Sequence, residues 1–203
     1  VTIHGTDNLR VENNVTYNTV GHCFFMEDAI ETGNQVIKNL GIQTKCHPTL
    51  ACVPTNLGVP GERGAFGGQS SEDVLLPSDN TAATFWITNP SNDYIGNVAA
   101  GSDSTGFWMS LPEHPVGAHE GTEISAITWP RRMPQGEFRG NVSHSNFDGL
   151  MLDRNIVPDN TFGVTGSSHI ARENPADPNS PSIESVIEDY TGYKNRNGGI
   201  WTR

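Results

Sequence analysis

The chain is short of basic and of apolar side chains. Its 203 residues include 12 Lys and Arg against 23 Asp and Glu, a formal net charge of −11 at pH 7, and only 34% are hydrophobic. Because nucleic-acid binding depends on clustered cationic side chains, no nucleic-acid partner is expected. No apolar run reaches the roughly 20 residues that cross a bilayer. Membrane association is therefore expected only through segments absent from this chain.

The chain also lacks an initiator Met and a signal peptide. Both of its ends have the composition of a strand interior, VTIH at residues 1–4 and IWTR at residues 200–203. This pattern predicts that residues 1–203 are a fragment of a longer protein.

Cysteine is scarce, with three residues in the whole chain. Cys46 and Cys52 lie in a polar, Pro-rich stretch and are predicted to form a disulfide, which suits an extracellular, oxidising compartment. Cys23 lies in an apolar run and is expected to be a buried thiol. The sequons at Asn14 and Asn141 predict a glycoprotein that is secreted or held at the cell surface.

Glycine and proline, in contrast, are frequent, and four segments share one pattern: Asn or Asp, two further residues, Gly, then an apolar strand. In a solenoid every coil turns at the same place, and Asn tolerates the backbone angles of a tight corner. The repeats at residues 18–21, 103–106, 146–149 and 195–198 therefore predict a structural ladder at one corner, formed by Asn18, Asp103, Asn146 and Asn195.

The predicted fold is all-β: a right-handed parallel β-helix, a solenoid of short strands stacked about 4.8 Å apart that covers residues 1–203 as one segment. The repeats lie further apart than the roughly 20 to 30 residues of a bare coil. Loop insertions are therefore expected at about 43–80, 111–135 and 154–182. Further strands are predicted at 36–42 and 83–87, and helix only as a short turn near 182–188.

Several blocks of the sequence resemble, in order, the central β-helix region of the family that contains the cell migration-inducing and hyaluronan-binding protein, transmembrane protein 2 and fibrocystin-L. The matching blocks are GHCFFMED at 21–28, TFWITNP at 84–90, AAGS at 99–102, TGFW at 105–108, HSN at 144–146 and YKN at 193–195, with Trp201. The resemblance implies an extracellular parallel β-helix. It also implies that some members depolymerise hyaluronan, while fibrocystin-L is more similar to a receptor or structural ectodomain.

Hydrolysis of a glycosidic bond generally needs two carboxylates, and stacked coils can supply them because they are about 4.8 Å apart. Glu27 and Asp28 follow the strand after Gly21, and Asp153 follows the equivalent strand after Gly149. The candidate catalytic residues are thus Glu27 and Asp28 with His22, and a second group of His144, Asp148 and Asp153. The alternative for each is a solvated or turn-capping carboxylate, or a hydrogen-bonded structural histidine.

One segment combines an aromatic ring with cations in a predicted loop. Trp129 lies beside Arg131 and Arg132, and arginine binds carboxylates in a bidentate manner. These three residues are predicted to bind a uronate-bearing substrate; the alternative is that the arginines neutralise nearby loop acids. Trp86, Trp108 and Trp201 are expected in the core. Calcium is the one candidate cofactor, at Glu27 and Asp28, because oxygen-rich loops bind hard cations.

Two functions remain open from the sequence. The first is an extracellular β-helix that binds or degrades a uronic-acid polysaccharide such as hyaluronan, as a hyaluronidase-like glycosidase would. The second is a non-catalytic structural or adhesive ectodomain of the fibrocystin-L kind, with extracellular proteins as partners.

Overall fold

The computed structural model describes residues 1–46, 52, 81–156 and 164–203. Within these residues the chain forms three parallel sheets and one antiparallel hairpin. Sheet A contains β1 (Thr2–Ile3), β4 (His22–Met26), β7 (Ala83–Ile87), β10 (Thr105–Met109), β13 (Asp148–Met151) and β18 (Gly198–Trp201). Sheet B contains β2 (Arg10–Glu12), β5 (Gln35–Ile37), β8 (Asp93–Ile95), β11 (Phe138–Arg139) and β16 (Ile187–Glu188). Sheet C contains β3 (Val15–Tyr17), β6 (Leu40–Ile42), β9 (Val98–Ala100), β12 (Val142–His144) and β17 (Thr191–Tyr193).

The chain passes through sheets A, B and C in turn and then returns to sheet A one coil further along. Every pairing within the three sheets is parallel. This confirms the predicted parallel β-helix. Strand β7 has no Asn-x-x-Gly repeat before it, yet it lies between β4 and β10 in sheet A. The wide gap between the first two repeats therefore holds a coil that the pattern did not show.

The excursions from the coils carry the remaining elements. Between β10 and β11 lie a 3-10 turn (Gly117–His119), helix α1 (Glu123–Ile127) and a second 3-10 turn (Pro130–Arg132). Strands β14 (Arg154–Ile156) and β15 (Val164–Gly166) pair as an antiparallel hairpin. The predicted helical turn near 182–188 is wrong, because Ser182 bridges Arg172 and residues 187–188 pair with β11. None of the described helices has the length and apolarity to cross a membrane.

The predicted corner lies between sheets C and A. Asn195 stacks under Asn146, whose backbone N–H donates to Asn195 Oδ1 over 3.2 Å, and Asn146 Oδ1 in turn accepts from Ser102 N–H over 2.8 Å. Asp103 lies one residue past Ser102 and instead accepts from Cys46 N–H over 3.0 Å. Asn18 lies one residue earlier, at a left-handed position with φ of 59°. The four residues share one corner, but only Asn146 and Asn195 stack on each other.

A longer asparagine ladder, which the repeat search missed, lies between sheets B and C. Asn14, Asn39, Asn97 and Asn141 are linked in this order, each backbone N–H donating to the next side-chain oxygen over 2.9 to 3.0 Å. Asn141 is fully buried and donates its amide to Tyr94 O over 2.7 Å. The Asn141 side chain of the sequon is therefore not accessible for glycosylation in the folded protein, because it is a rung of the ladder.

The core has an inner and an outer layer around sheet A. Inside the solenoid, Phe85 stacks between Phe24 and Phe107, with ring centroids 4.7 and 4.6 Å apart. On the outer face, Trp86 and Trp108 are buried with Met151, and Ile156 and Val164 of the hairpin pack against them. The prediction of core positions thus holds for Trp86 and Trp108. Trp201, in the last strand of sheet A, is 39% exposed.

The cysteines take the predicted places. Cys46 and Cys52 form a disulfide, and Cys23 is a buried thiol whose Sγ lies 3.2 Å from Thr44 Oγ1. The predicted loop at 43–80 lies mostly outside the described residues.

Candidate functional site

A large cleft of about 1040 Å³ opens where the strands of sheet A end. Its floor includes residues that directly follow β4, β7 and β10, namely Glu27, Thr88 and Ser110. The wall is formed by the excursion between β10 and β11, which includes helix α1, and by the β14–β15 hairpin. The carboxyl ends of parallel strands meet at one edge of a sheet, so turns from separate coils converge here.

Asp28 is the centre of this cleft. It is 1% exposed, and its Oδ2 lies 2.7 Å from His119 Nδ1 and 3.4 Å from His4 Nδ1. Glu27 Oε2 contacts the same His4 nitrogen over 3.0 Å. A buried carboxylate held between two histidines is an arrangement that can orient and transfer protons. The sequence indicated Glu27 and Asp28, but not the two histidines.

Local backbone geometry positions His119 over Asp28. Val116 N–H donates to Asp28 O over 3.0 Å, and Gly117 adopts a left-handed conformation with φ of +61°. A β-carbon at Gly117 would collide with Asp28 Oδ1. The 3-10 turn can therefore close onto the carboxylate only because this position lacks a side chain.

Glu31 lies next to Asp28, and it was not identified as a site residue from the sequence. It is fully buried, and its Oε1 accepts from Gly5 N–H over 2.9 Å and approaches Asp28 N at 3.5 Å. Its Oε2 has no hydrogen-bond partner among the described residues. Burial and, secondarily, the Glu31 charge raise the pKa of Tyr94 far above its usual range. Glu31 is therefore a second buried carboxyl group next to Asp28, outside the lining of the cleft.

His22 lies at the opposite end of β4 from Glu27, roughly 16 Å along the strand at about 3.3 Å per residue. Its ring stacks on Phe25 with centroids 4.6 Å apart, and its Nδ1 lies 3.1 Å from Ala83 O. Grouping His22 with Glu27 and Asp28 was wrong, because strand length separates them.

The second predicted group is divided in the same way. His144 stacks on Tyr193 in sheet C, with centroids 4.8 Å apart. Asp148 begins β13 and accepts from Asn197 and Trp201, each over 2.9 Å, while burial raises its pKa. Neither residue lines the cleft of about 1040 Å³.

Asp153 does leave sheet A at the same edge as Glu27, as predicted. It lies three coils away, however, which corresponds to roughly 14 Å along the stack. Its carboxylate is 3.8 Å from Arg154 Nε and 3.9 Å from an Arg203 nitrogen. This separation is too large for Glu27 and Asp153 to act as a carboxylate pair on one glycosidic bond.

Trp129, Arg131 and Arg132 come together beside the cleft. They line an adjoining depression of about 550 Å³ with Arg172, and Arg131 lines both cavities. The Arg132 guanidinium lies 3.9 Å above the Trp129 ring and 2.7 Å from Glu113. The Nε atoms of Arg132 and Arg172 are buried and have no hydrogen-bond partner in the described part of the chain. Arginine side chains bind carboxylates, and here Glu113, which also lines the depression, already pairs with one of them.

The His4 nitrogen and one oxygen each of Glu27 and Asp28 lie within 4.8 Å of one another, so these three residues could hold a metal ion. The predicted calcium site fell on the same two carboxylates. The structure adds a histidine nitrogen, which a site for a hard cation such as calcium does not usually contain.

The fold and cleft together define the protein class: a parallel β-helix with a large cleft built on one flank. The sequence profile described as "CEMIP beta-helix" matches residues 1–151, and the chain belongs to this family.

Relatives match the chain over most or all of its length. Human "Cell surface hyaluronidase CEMIP2" is 32% identical over 100% of this chain and 15% of its own length. Human "Cell migration-inducing and hyaluronan-binding protein" is 30% identical over 100% of the chain and 15% of its own length. Mouse "Fibrocystin-L" is 34% identical over 82% of the chain and 3% of its own length. The chain therefore corresponds to a small part of these relatives.

Proposed function

We propose that this chain is part of an extracellular protein that binds a uronic-acid polysaccharide such as hyaluronan in the cleft and cleaves its glycosidic bonds. The observation that carries the proposal is Asp28, a buried carboxylate held between His4 and His119 on the floor of the cleft. Two of the relatives have names that refer to hyaluronan, which supports this substrate class.

The chemistry follows from the contacts of Asp28. His119 Nδ1, when protonated, donates to Asp28 and orients its carboxylate, so that Asp28, which lines the cleft, is the group that exchanges a proton with substrate. Glu27 is 31% exposed at its side chain and can act from the solvent side as the second acid or base. Proton transfer by positioned groups of this kind contributes about 10² to 10⁴-fold to rates.

The adjoining depression supplies substrate binding. Arg131, Arg132 and Arg172 provide the cations for uronate carboxylates, and Trp129 provides an aromatic face for a sugar ring. The two cavities are neighbours because Arg131 lines both, so a chain bound by the arginines could continue into the cleft that contains Asp28.

The test uses the full-length protein and hyaluronan of defined size, with product length read on a gel. Asp28→Asn is expected to reduce cleavage by at least about 100-fold because its proton transfer is lost, and His119→Gln by a similar factor because Asp28 loses the hydrogen bond that orients it. Glu12→Gln is the matched control, since Glu12 lies in sheet B and its carboxylate pairs only locally, with Arg10 over 2.8 Å.

Circular dichroism must show the same fold for all variants. Cleavage by folded Asp28→Asn and His119→Gln at the wild-type rate would remove the catalytic assignment. If the wild-type protein neither binds nor cleaves the polysaccharide, the proposed function is wrong, and a structural or adhesive function of the fibrocystin-L kind is favoured.

A further inference from the structure

We propose that His4, Glu27 and Asp28 form a binding site for a divalent transition-metal ion of the zinc class. The site lies in the cleft of the proposed function and rests on it for its biological role, but metal binding is measurable without any polysaccharide. His4 follows β1, while Glu27 and Asp28 follow β4 in the next coil. The stacking of these two coils brings the three side chains together.

The distances between the ligand atoms suit a small ion. His4 Nδ1 is 3.0 Å from Glu27 Oε2 and 3.4 Å from Asp28 Oδ2. In a tetrahedral zinc site with bonds of about 2.0 to 2.1 Å, ligand atoms lie roughly 3.3 Å apart. All three donor atoms lie within 4.8 Å of one another, so rotation of the partly exposed Glu27 side chain would bring its oxygen and that of Asp28 to the spacing of zinc ligands.

Charge balance favours a cation at the same point. Asp28 and Glu31 are both buried, and neither forms an ion pair with a Lys or Arg among the described residues. Glu31 Oε2 also has no hydrogen-bond partner in the described part of the chain. Buried carboxylates are costly unless they are paired, and a divalent ion at His4, Glu27 and Asp28 would provide such a partner.

The surroundings match a reactive metal site better than a closed structural one. Three protein ligands leave the fourth position of a tetrahedral ion open, and here that side faces the cleft of about 1040 Å³. His119 Nδ1 lies 2.7 Å from the same Asp28 oxygen that would bind the ion. Such an outer hydrogen bond fixes a ligating carboxylate in place, so His119 would be a positioning residue for the metal.

The donor set selects the class of ion. Calcium prefers six to eight oxygen ligands, whereas one imidazole nitrogen with two carboxylate oxygens suits zinc and similar ions. Zinc alone and cobalt alone are therefore the probes, with calcium as the comparison.

The experiment titrates the metal-free full-length protein with zinc chloride in a calorimeter at pH 7, and records the visible absorption of the cobalt form. One ion per chain is expected. His4→Ala and Glu27→Gln should each weaken zinc binding by at least about 100-fold, and His119→Gln by about 10 to 100-fold. His144→Ala and Glu12→Gln should leave it unchanged, because both residues lie outside the cleft.

Absence of zinc binding by the wild-type protein, equal binding by folded His4→Ala and Glu27→Gln, or stoichiometric binding of calcium but not zinc would each overturn the inference. Hyaluronan cleavage that persists in metal-free protein would overturn any catalytic use of the ion while leaving the proposed function intact. Zinc binding without cleavage would support the site and contradict the function.

Discussion

At the scale of single residues, the candidate site depends on a glycine as much as on its charged side chains. The 3-10 turn at Gly117–His119 reaches Asp28 only because Gly117 has no β-carbon. The backbone path of this turn places His119 beside Asp28, and no motif near Asp28 in the sequence predicts this contact. Gly117 is the position where this dependence can be measured.

We predict that Gly117→Ala will strongly reduce both cleavage and zinc affinity, because the added β-carbon displaces Asp28 from His119. Gly121→Ala is the matched control: Gly121 has a similar left-handed φ of +70°, but nothing lies within 4 Å of its β-carbon position. Both variants should lose about 1 to 2 kcal/mol of stability from backbone strain. Thermal unfolding, cleavage and zinc titration of the two variants check this, and equal activity in both would contradict it.

At the scale of the element, asparagine side chains at the corners of the solenoid form buried hydrogen bonds to the neighbouring coils. Asn97 Oδ1 accepts from Asn39 N–H over 3.0 Å, and its amide donates to Val36 O over 2.8 Å. Both contacts are buried. Each rung thus satisfies backbone groups of its neighbouring coil that water cannot reach.

We predict that Asn97→Ala will lower the free energy of unfolding by about 3 kcal/mol, since two or more buried polar groups lose their partners. Asn14→Ala, at the exposed end of the same ladder, should cost about 1 kcal/mol or less because water can replace the lost bonds. Urea unfolding of both variants measures the difference. Equal losses of unfolding free energy in Asn14→Ala and Asn97→Ala would contradict the role of burial in the ladder.

The elements of the fold differ in how far the sequence predicts them. Turn chemistry and apolar strands were enough to predict a parallel β-helix, because glycine and asparagine mark corners directly. The repeat pattern missed the coil of β7, since Ala82 and Ala83 reach the same place without an Asn-x-x-Gly signal. The ladder at Asn39 and Asn97 was open to discovery, because each stands directly before a short apolar strand.

The candidate site was harder to predict than the fold. Glu27 and Asp28 were found because they end a strand, and strand ends converge at one edge of the sheet. His4 and His119 come from the coil before and from a long excursion two coils later, so register and loop path decide their position. Neither quantity is encoded in a local motif. His22 and Asp153 failed as partners of Asp28 because strand length and coil number, respectively, separate them.

At the scale of the whole molecule, charge opposes the proposed ligand. The chain carries a formal net charge of −11, and hyaluronan is a polyanion. At physiological salt, however, charges further apart than about 8 Å are largely screened from each other. For the proposed ligand, the local groups Arg131, Arg132, Arg172 and Glu113 would then matter more than the distant acids.

We predict that the double variant Arg132→Gln with Arg172→Gln will bind hyaluronan at least about 10-fold more weakly, because the charge-assisted hydrogen bonds to uronates are lost. Arg10→Gln with Arg139→Gln removes the same net charge from exposed positions in sheet B and should leave affinity unchanged. Binding measured at two salt concentrations separates the local from the global effect. An equal loss in both double variants would show that net charge, and not the arginine cluster, governs binding.

The candidate site draws its parts from successive layers of the stack. His4 belongs to the first coil, Glu27 and Asp28 to the second, and His119 to the excursion that follows β10 in the fourth. A nascent chain that has left the ribosome only as far as β9 therefore holds two carboxylates without the histidine that orients them. Under the proposed function, activity would therefore arise late in biosynthesis, and a truncated chain would be inactive even where its first coils have folded.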